Sequence, residues 1–255
     1  MEHQSGIHIA LAAEKLGTFF GLPITNTLLM SWVVMVILIT LSLIVGMRVR
    51  LIPSKFQTTL EWMIGFVYDY VSETLESKDL ARRFFPLLMT IFLFIFTANL
   101  IEFTPGIGSV GFFAAGGGSA SGGHEFTPLL RSVNTDLNVT LTLAIISFFV
   151  IEITGIAVLG AANYSRKFFN FHSGTSFAVG LIELIGDLVR VISLSFRLFG
   201  NILAGEVLIT VATFFLPYLA PVPLMLFETF IGFLQAAIFA LLTLFFIKLA
   251  VTEAH

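Results

Sequence analysis

The sequence contains no cysteine and few charged residues. Without cysteine, the chain has no disulfide, no thiolate metal ligand and no cysteine nucleophile. Charged residues make up 11% of the 255 positions, against about 25% in a soluble domain. The net charge of -3 provides no basic surface for phosphate contacts, so nucleic-acid binding is not expected. Because 57% of the residues are apolar, the composition predicts a membrane protein.

Three stretches of the chain have the length and composition of ordinary membrane spans. A helix needs about 20 mainly apolar residues to cross the hydrocarbon layer. Residues 26–47 contain no charge, whereas 84–104 and 137–162 each contain a single glutamate, Glu102 and Glu152. We therefore predict one crossing from each stretch.

The last two apolar stretches, 177–215 and 223–250, are longer and carry charges. As one helix, the first would extend for nearly twice the thickness of the hydrocarbon layer, at about 1.5 Å per residue. It must therefore tilt strongly, break near a glycine, or project its first turns into water; the candidate break points are Gly186, Gly200 and Gly205. A proline-rich break follows, so the two stretches are predicted to form an antiparallel hairpin.

Basic residues indicate the orientation, because short cytoplasmic loops are enriched in Lys and Arg. The segment 48–83 holds six of them, 103–136 holds Arg131 alone, and 163–176 holds two. Five crossings satisfy this alternation, with the N-terminus outside and the C-terminus in the cytoplasm.

Two further segments complete the predicted architecture. Residues 55–77 place apolar side chains at helical spacing opposite acidic ones, which predicts an amphipathic helix on the inner membrane surface. The glycine-rich stretch 114–123 lacks phosphate-loop spacing and is predicted to be a flexible outer linker. The expected fold is an all-α polytopic membrane protein, a single domain over 1–255.

Charged side chains concentrate in the final hairpin, although each costs about 2.5 to 3.5 kcal/mol at the bilayer centre. Glu228 and Gln235 lie seven residues apart, on one face of the last helix. On the preceding helix, Glu206 lies roughly opposite a narrow polar stripe formed by Glu183, Asp187, Arg190, Arg197 and Asn201. A polar stripe on each helix is what a hydrated path requires.

Internal ion pairs are the structural alternative to such a path. Arg190 is three residues from Asp187 and seven from Glu183, so it can pair with either. Arg197 could pair with Glu206 or Glu228, and it cannot escape the cost of burial by losing its proton. The acids outnumber the arginines, which leaves carboxylates for proton relay.

The run SLSFRLFGNILAGE, from Ser193 to Glu206, resembles the signature helix of subunit a of F-type ATP synthases. The rest of the chain after about Pro23 shows similar family features in family order. These are PSKFQ at 53–57, NLIE at 99–102, DLNVT at 136–140, Glu183 fourteen residues before Arg197, and Gln235 followed by AAIF. This resemblance covers nearly the whole chain.

The resemblance implies a stator that packs against a rotating ring of c subunits, each with one carboxylate, and two offset aqueous half-channels. Further implied partners are the peripheral stalk of b subunits, the other synthase subunits and membrane lipid. The chain would be no enzyme by itself, since ATP chemistry belongs to other subunits. No cofactor is expected, and no metal either, because the histidines lie outside the predicted spans without metal-ligand spacing. The implied location is a bacterial plasma (inner) membrane.

The resemblance also implies residue roles. Arg197 would face the ring, with Asn201 beside it and Gln235 opposite it on the last helix. Glu206 and Glu228 would line the outer half-channel, and the inner one would be lined by Glu183, Ser193 and Asp187. Many family members pair a histidine with a glutamate at the positions of Glu206 and Glu228, whereas both are glutamate here. A relay must therefore depend on carboxylates.

Other functions fit the sequence less well. A secondary transporter or a stand-alone channel is the main alternative, because charged hairpins also occur in those proteins. An intramembrane aspartyl protease would need Asp69 and Asp187 together, yet Asp69 lies in the predicted surface helix and Leu184 stands where its motif needs glycine. The roles of Glu102, Asp136 and Glu152, the choice between proton and sodium, and the ring size stay open.

Overall fold

The computed structural model describes residues 15–19, 22–102, 104, 111–115, 124–128, 131–160, 164, 174–217 and 219–252. Its helices are α1 (Asn26–Met47), α2 (Lys55–Leu75), α3 (Lys78–Glu102), α4 (Leu137–Leu159), α5 (Gly174–Phe215) and α6 (Pro221–Val251). Four short strands form two hairpins: β1 (Lys15–Phe19) pairs with β2 (Leu22–Thr25), and β3 (Gly111–Ala115) pairs with β4 (His124–Pro128). The fold is that of an all-α polytopic membrane protein, as predicted.

Four of these helices are long and apolar enough to cross a membrane, by length and composition, in the described part of the chain: α1, α3, α4 and α6. The fifth predicted crossing corresponds to α5, which is not among the four, so that crossing remains a prediction.

The helix α5 is continuous from Gly174 to Phe215. The alternative in which the stretch 177–215 breaks near a glycine is therefore wrong. Gly186 and Gly200 have no atoms close to where a Cβ would lie, and helical φ and ψ angles are accessible to glycine at a cost of about 1 kcal/mol relative to alanine. The two alternatives that remain for this helix of 42 residues are a strong tilt and the projection of its first turns into water.

The glycine-rich stretch 114–123 is not wholly a linker. Ala114 and Ala115 belong to β3, where they pair with Glu125 and His124 of β4. Phenylalanine and threonine at the centre of the two strands have high β propensity, which favours a β3 that includes the first two residues of the predicted linker. Residues 116–123 lie outside the described part.

The predicted surface helix is present as α2. The Ser54 side chain caps its start by accepting a hydrogen bond from the Gln57 backbone N–H at 3.3 Å, and Glu76 ends it in the left-handed conformation. Glu76 also forms an ion pair with Lys248, with Nζ to Oε1 at 2.7 Å. Its position on the membrane surface remains a prediction.

The described residues divide into two compact units. The first unit comprises the described residues within 1–39, 94–140 and 197–235. Its buried apolar core contains Met30, Val34, Ala98 and Val133. Asn99 of α3 donates a hydrogen bond to the Gly232 carbonyl of α6 at 3.0 Å. A Cβ on Gly232 would lie 2.9 Å from Cβ of Asn99, so glycine permits this close approach.

The second unit comprises the described residues within 40–93, 141–196 and 236–255. Apolar side chains of α2, α3 and α6 form its core: Val71, Leu75, Ala81, Phe84, Leu88, Leu244 and Ile247. This packing places α2 against the ends of two long helices, which buries one stripe of α2 and leaves the rest exposed.

Candidate functional site

The guanidinium of Arg197 lies on the exposed side of α5 in the first unit. Among the described residues it forms no ion pair and no hydrogen bond, so the alternative pairing with Glu206 or Glu228 is not formed. Gly200, Ala204 and Leu208 continue the exposed stripe at helical spacing. A permanent cation therefore stands on a surface of small and apolar side chains that another helix could approach closely.

The other side of α5 fixes the orientation of this stripe. Leu198 and Ile202 are fully buried, and Gly205 is buried as well. These buried residues follow one another at spacings of three and four, so they form one packed face of α5. A rotation of α5 that buried Arg197 would expose this packed face.

Glu206, on the same helix, pairs with Arg131. Nη2 of Arg131 lies 3.4 Å from Oε2 of Glu206, and the Arg131 side chain is 8% exposed. Sequence reasoning missed this pair, because the two residues are 75 positions apart. The available signal was that Arg131 is the one basic residue between 103 and 136.

Glu228 of α6 is buried against α5. A Cβ on Gly205 would lie 2.6 Å from the carboxyl carbon of Glu228, so glycine makes room for this carboxylate. Within the described part of the chain, Oε2 of Glu228 is buried and has no hydrogen-bond partner. A buried oxygen of this kind is suited to bind a proton or a water molecule.

Glu102 of α3 completes what we call the carboxylate cluster, namely Glu102, Glu206 and Glu228. Its Oε2 accepts a hydrogen bond from the Ser132 hydroxyl at 2.6 Å. It also interacts electrostatically with Arg131 and with both other carboxylates. Three helices thus contribute three carboxyl groups to this cluster, and Arg131 pairs with Glu206 and acts on Glu102. Carboxyl groups that outnumber the guanidinium permit the cluster to hold exchangeable protons.

Asp136 has a structural position at the start of α4. Its Oδ1 accepts a hydrogen bond from the Asn138 backbone N–H at 2.9 Å, and Oδ2 accepts one from the Thr27 hydroxyl at 3.0 Å. Asp136 therefore caps α4 and joins it to α1 within the first unit.

The remaining predicted residues of the first unit are two amides. Gln235 is buried in α6. Asn201 lies one turn from Arg197 on α5, and its Nδ2 is buried without a hydrogen-bond partner in the described residues. Neither amide forms a hydrogen bond with Arg197, so the placement of Asn201 beside Arg197 and of Gln235 opposite it remains a prediction.

In the second unit, Asp187 and Arg190 form the ion pair that their spacing indicated. Nη1 of Arg190 lies 2.5 Å from Oδ1 of Asp187, and the guanidinium carbon is 4.7 Å from the centre of the Phe246 ring. Glu183 is half-buried and Ser193 is exposed. Asp187, Arg190 and Glu152 line an open cavity of about 330 Å³, a volume that includes the space at its mouth.

Comparisons with known proteins agree on one family. The model of the ATP synthase A chain family matches residues 28–248. The chain is 30% identical over 226 residues to "ATP synthase subunit a" of Moorella thermoacetica, covering 89% of this chain and 90% of that protein. It is 32% identical over 253 residues to "ATP synthase subunit a 2" of Syntrophotalea carbinolica, covering 98% and 94%.

A third relative carries a more specific name. The chain is 29% identical over 248 residues to "ATP synthase subunit a, sodium ion specific" of Propionigenium modestum, covering 96% of this chain and 80% of that protein.

Proposed function

Because the chain belongs to the ATP synthase A chain family, we propose that it is the proton-translocating stator of an F-type ATP synthase, with Arg197 facing a rotating ring of c subunits. The chain is then a non-catalytic member of a complex with other synthase subunits. The proposed neighbours are the c ring and the peripheral stalk of b subunits.

The exposed guanidinium of Arg197 is the observation that carries this proposal. A charged side chain on the lipid-facing side of a membrane helix is costly, and no described residue of this chain compensates the charge. A ring carboxylate that arrives at this surface would provide the missing anion. The small residues Gly200 and Ala204 on the same stripe would let the ring helix come close.

Arg197 would also prevent a leak. A permanent cation attracts a deprotonated carboxylate and repels a free proton, so the ring carboxylate releases its proton on reaching Arg197. Protons could then pass from one half-channel to the other on the turning ring and by no direct route. Lysine is a poorer choice, because its pKa falls readily on burial and the amine could itself pass a proton.

The outer half-channel is proposed to run through the carboxylate cluster. Glu206 and Glu228 were predicted to line it, and both interact electrostatically with Glu102. Glu102 and Arg131 are the additions from the structure. Many family members have a histidine at the position of Glu206 or Glu228, whereas this chain has two glutamates, with Glu102 and the Arg131 guanidinium near Glu206. The protons would therefore move between carboxyl groups and water.

The inner half-channel is proposed to be lined by Glu183, Asp187 and Ser193 of α5. Asp187 shares its cavity with Arg190, and Ser193 is exposed. With the proposed orientation in a bacterial plasma membrane, the N-terminus is outside and the C-terminus is cytoplasmic, so protons leave through this half-channel during ATP synthesis.

We propose the proton as the coupling ion. The positive charge of Arg131 within hydrogen-bond distance of Glu206 disfavours a metal cation at the same carboxylate, whereas a proton can bind a single carboxyl oxygen. The sodium-specific relative makes the sodium ion the alternative.

Reconstituted vesicles separate these possibilities. We expect the chain without a c ring to leave proton permeability at the level of empty vesicles, and the complete complex to pump protons during ATP hydrolysis in sodium-free buffer. Fast proton flux through the chain without the ring would instead indicate a transporter or channel. Pumping that requires sodium would contradict the proton assignment.

A further inference from the structure

Glu152 is the carboxylate of α4 in the second unit, and its position was left open by the sequence. It lines the same cavity as Asp187 and Arg190, together with Ser147 and Phe246. A carboxylate in an otherwise uncharged membrane helix costs about 2.5 to 3.5 kcal/mol. A neutral side chain could fill the same space, so the ionisable carboxylate of Glu152 requires an explanation.

Tyr164 binds the carboxylate of Glu152 and packs against the same helix. Its hydroxyl donates a hydrogen bond to Oε2 of Glu152 at 2.9 Å, and the residue is 4% exposed. The ring lies over Gly155, one turn beyond Glu152, where a Cβ would overlap the ring atoms. Glycine at that position lets the tyrosine ring pack closely against α4 and its hydroxyl reach the carboxylate.

The tyrosine keeps its proton at any physiological pH. Burial raises the pKa of the Tyr164 hydroxyl, and the hydrogen bond and charge of Glu152 raise it further, followed by the charges of Asp187 and Glu183. Tyr164 is therefore a fixed donor rather than a proton carrier. The exchangeable proton in this pair belongs to Glu152.

The charged side chains that line the cavity favour the binding of protons. Among the described residues that line the cavity, the charged side chains are Glu152, Asp187 and Arg190, and the Arg190 guanidinium is engaged in the ion pair with Asp187. Glu183 lies near enough to act on Tyr164, and α6 contributes the uncharged Phe246. When the acids are ionised the lining has a net negative charge, and the open cavity can admit water.

We propose that Glu152, held by Tyr164, is a proton-relay residue of the inner half-channel, an inference that rests on the proposed function. During ATP synthesis a hydronium ion in the cavity gives a proton to a carboxylate oxygen of Glu152: an O–H bond of the hydronium breaks, one forms on the acid, and water is left. The O–H bond of the acid then breaks, the proton passes to water at the cavity mouth, and the carboxylate is restored. ATP-driven pumping runs the same steps in reverse. Tyr164 keeps its own proton throughout.

The experiment uses the intact complex in vesicles whose cytoplasmic face is outward, so that cytoplasmic pH can be varied during ATP-driven pumping. We expect Glu152→Gln to lower the pumping rate per assembled complex about 3- to 10-fold and to flatten its dependence on cytoplasmic pH. Glu152→Asp should recover at least half of the rate. Tyr164→Phe should retain most of the rate but shift the pH profile upward, because the lost hydrogen bond had favoured the deprotonated carboxylate.

Glu73→Gln, at an exposed position of α2, is the matched control and should behave as wild type. The proposal is overturned if Glu152→Gln complexes pump at the wild-type rate with the wild-type pH profile. It is also overturned if Glu152→Gln and Glu152→Asp reduce the amount of complex equally but leave the rate per complex unchanged, since Glu152 would then be structural. Arg197→Ala in the same preparation tests the proposed function separately, because activity in that variant would remove the stator role whatever Glu152 does.

Discussion

Complexes carrying Arg197→Ala are expected to make no ATP from a proton gradient, a loss of at least about 100-fold from the wild-type rate. The guanidinium is exposed on α5 and has no compensating anion in the described part of the chain. Without it, nothing holds the ring carboxylate in its deprotonated form at the stator, and nothing blocks direct transfer of protons between the half-channels. The measurement is ATP synthesis in vesicles energised by a pH step, normalised to assembled complex.

Arg82→Ala is the matched control, because Arg82 is also an exposed arginine within a helix but lies far along the chain from the candidate site. Its complexes should retain the wild-type rate. Arg197→Lys should remain strongly impaired, since a lysine can release its proton. Wild-type synthesis by Arg197→Ala complexes would refute the role of this residue.

Glu228→Gln is expected to lower proton-driven ATP synthesis at least about tenfold. Glu228 is the most buried carboxylate of the cluster, with one oxygen lacking a hydrogen-bond partner among the described residues. Glutamine has nearly the same shape and fits beside Gly205, but its amide cannot bind and release a proton near pH 7. The loss should therefore appear in the rate per complex while assembly stays normal, and general acid–base groups contribute effects of about 10² to 10⁴ elsewhere.

Glu73→Gln serves again as the control for a neutralised exposed glutamate. Raising the external proton concentration should restore little of the rate to Glu228→Gln complexes, because the missing group is the carrier itself. If Glu228→Gln complexes synthesise ATP normally, the outer path does not pass through the carboxylate cluster.

Hydrophobic length and periodicity predicted most helix limits to within three residues. The exception is α3, which begins at Lys78 rather than at the predicted residue 84, because its first turns carry charges that an apolar criterion leaves out. The predicted limits 26–47 match α1 residue for residue, and those of α2 differ by two residues at one end. The Asp187–Arg190 pair was also accessible, because residues three apart on a helix are neighbours. These features depend on local sequence, where apolar spacing and composition dominate.

Contacts between distant segments were not accessible. Arg131 and Glu206, or Ser132 and Glu102, meet because α3, α5 and the turn before α4 pack together. Tyr164 reaches Glu152 because the chain turns back at Gly160, which has a φ of 80°. The continuity of α5 was likewise undecided, since isolated glycines weaken a helix without determining whether tertiary packing retains it.

A density map of the intact complex, at a resolution that shows side chains, tests the central claim most directly. The guanidinium of Arg197 should point at a c subunit, with a ring carboxylate within about 4 to 6 Å, the range over which an opposite charge favours the ionised acid. A map in which Arg197 pairs with a carboxylate of its own chain, or extends to the lipid headgroups with no second protein beside it, would contradict the assignment.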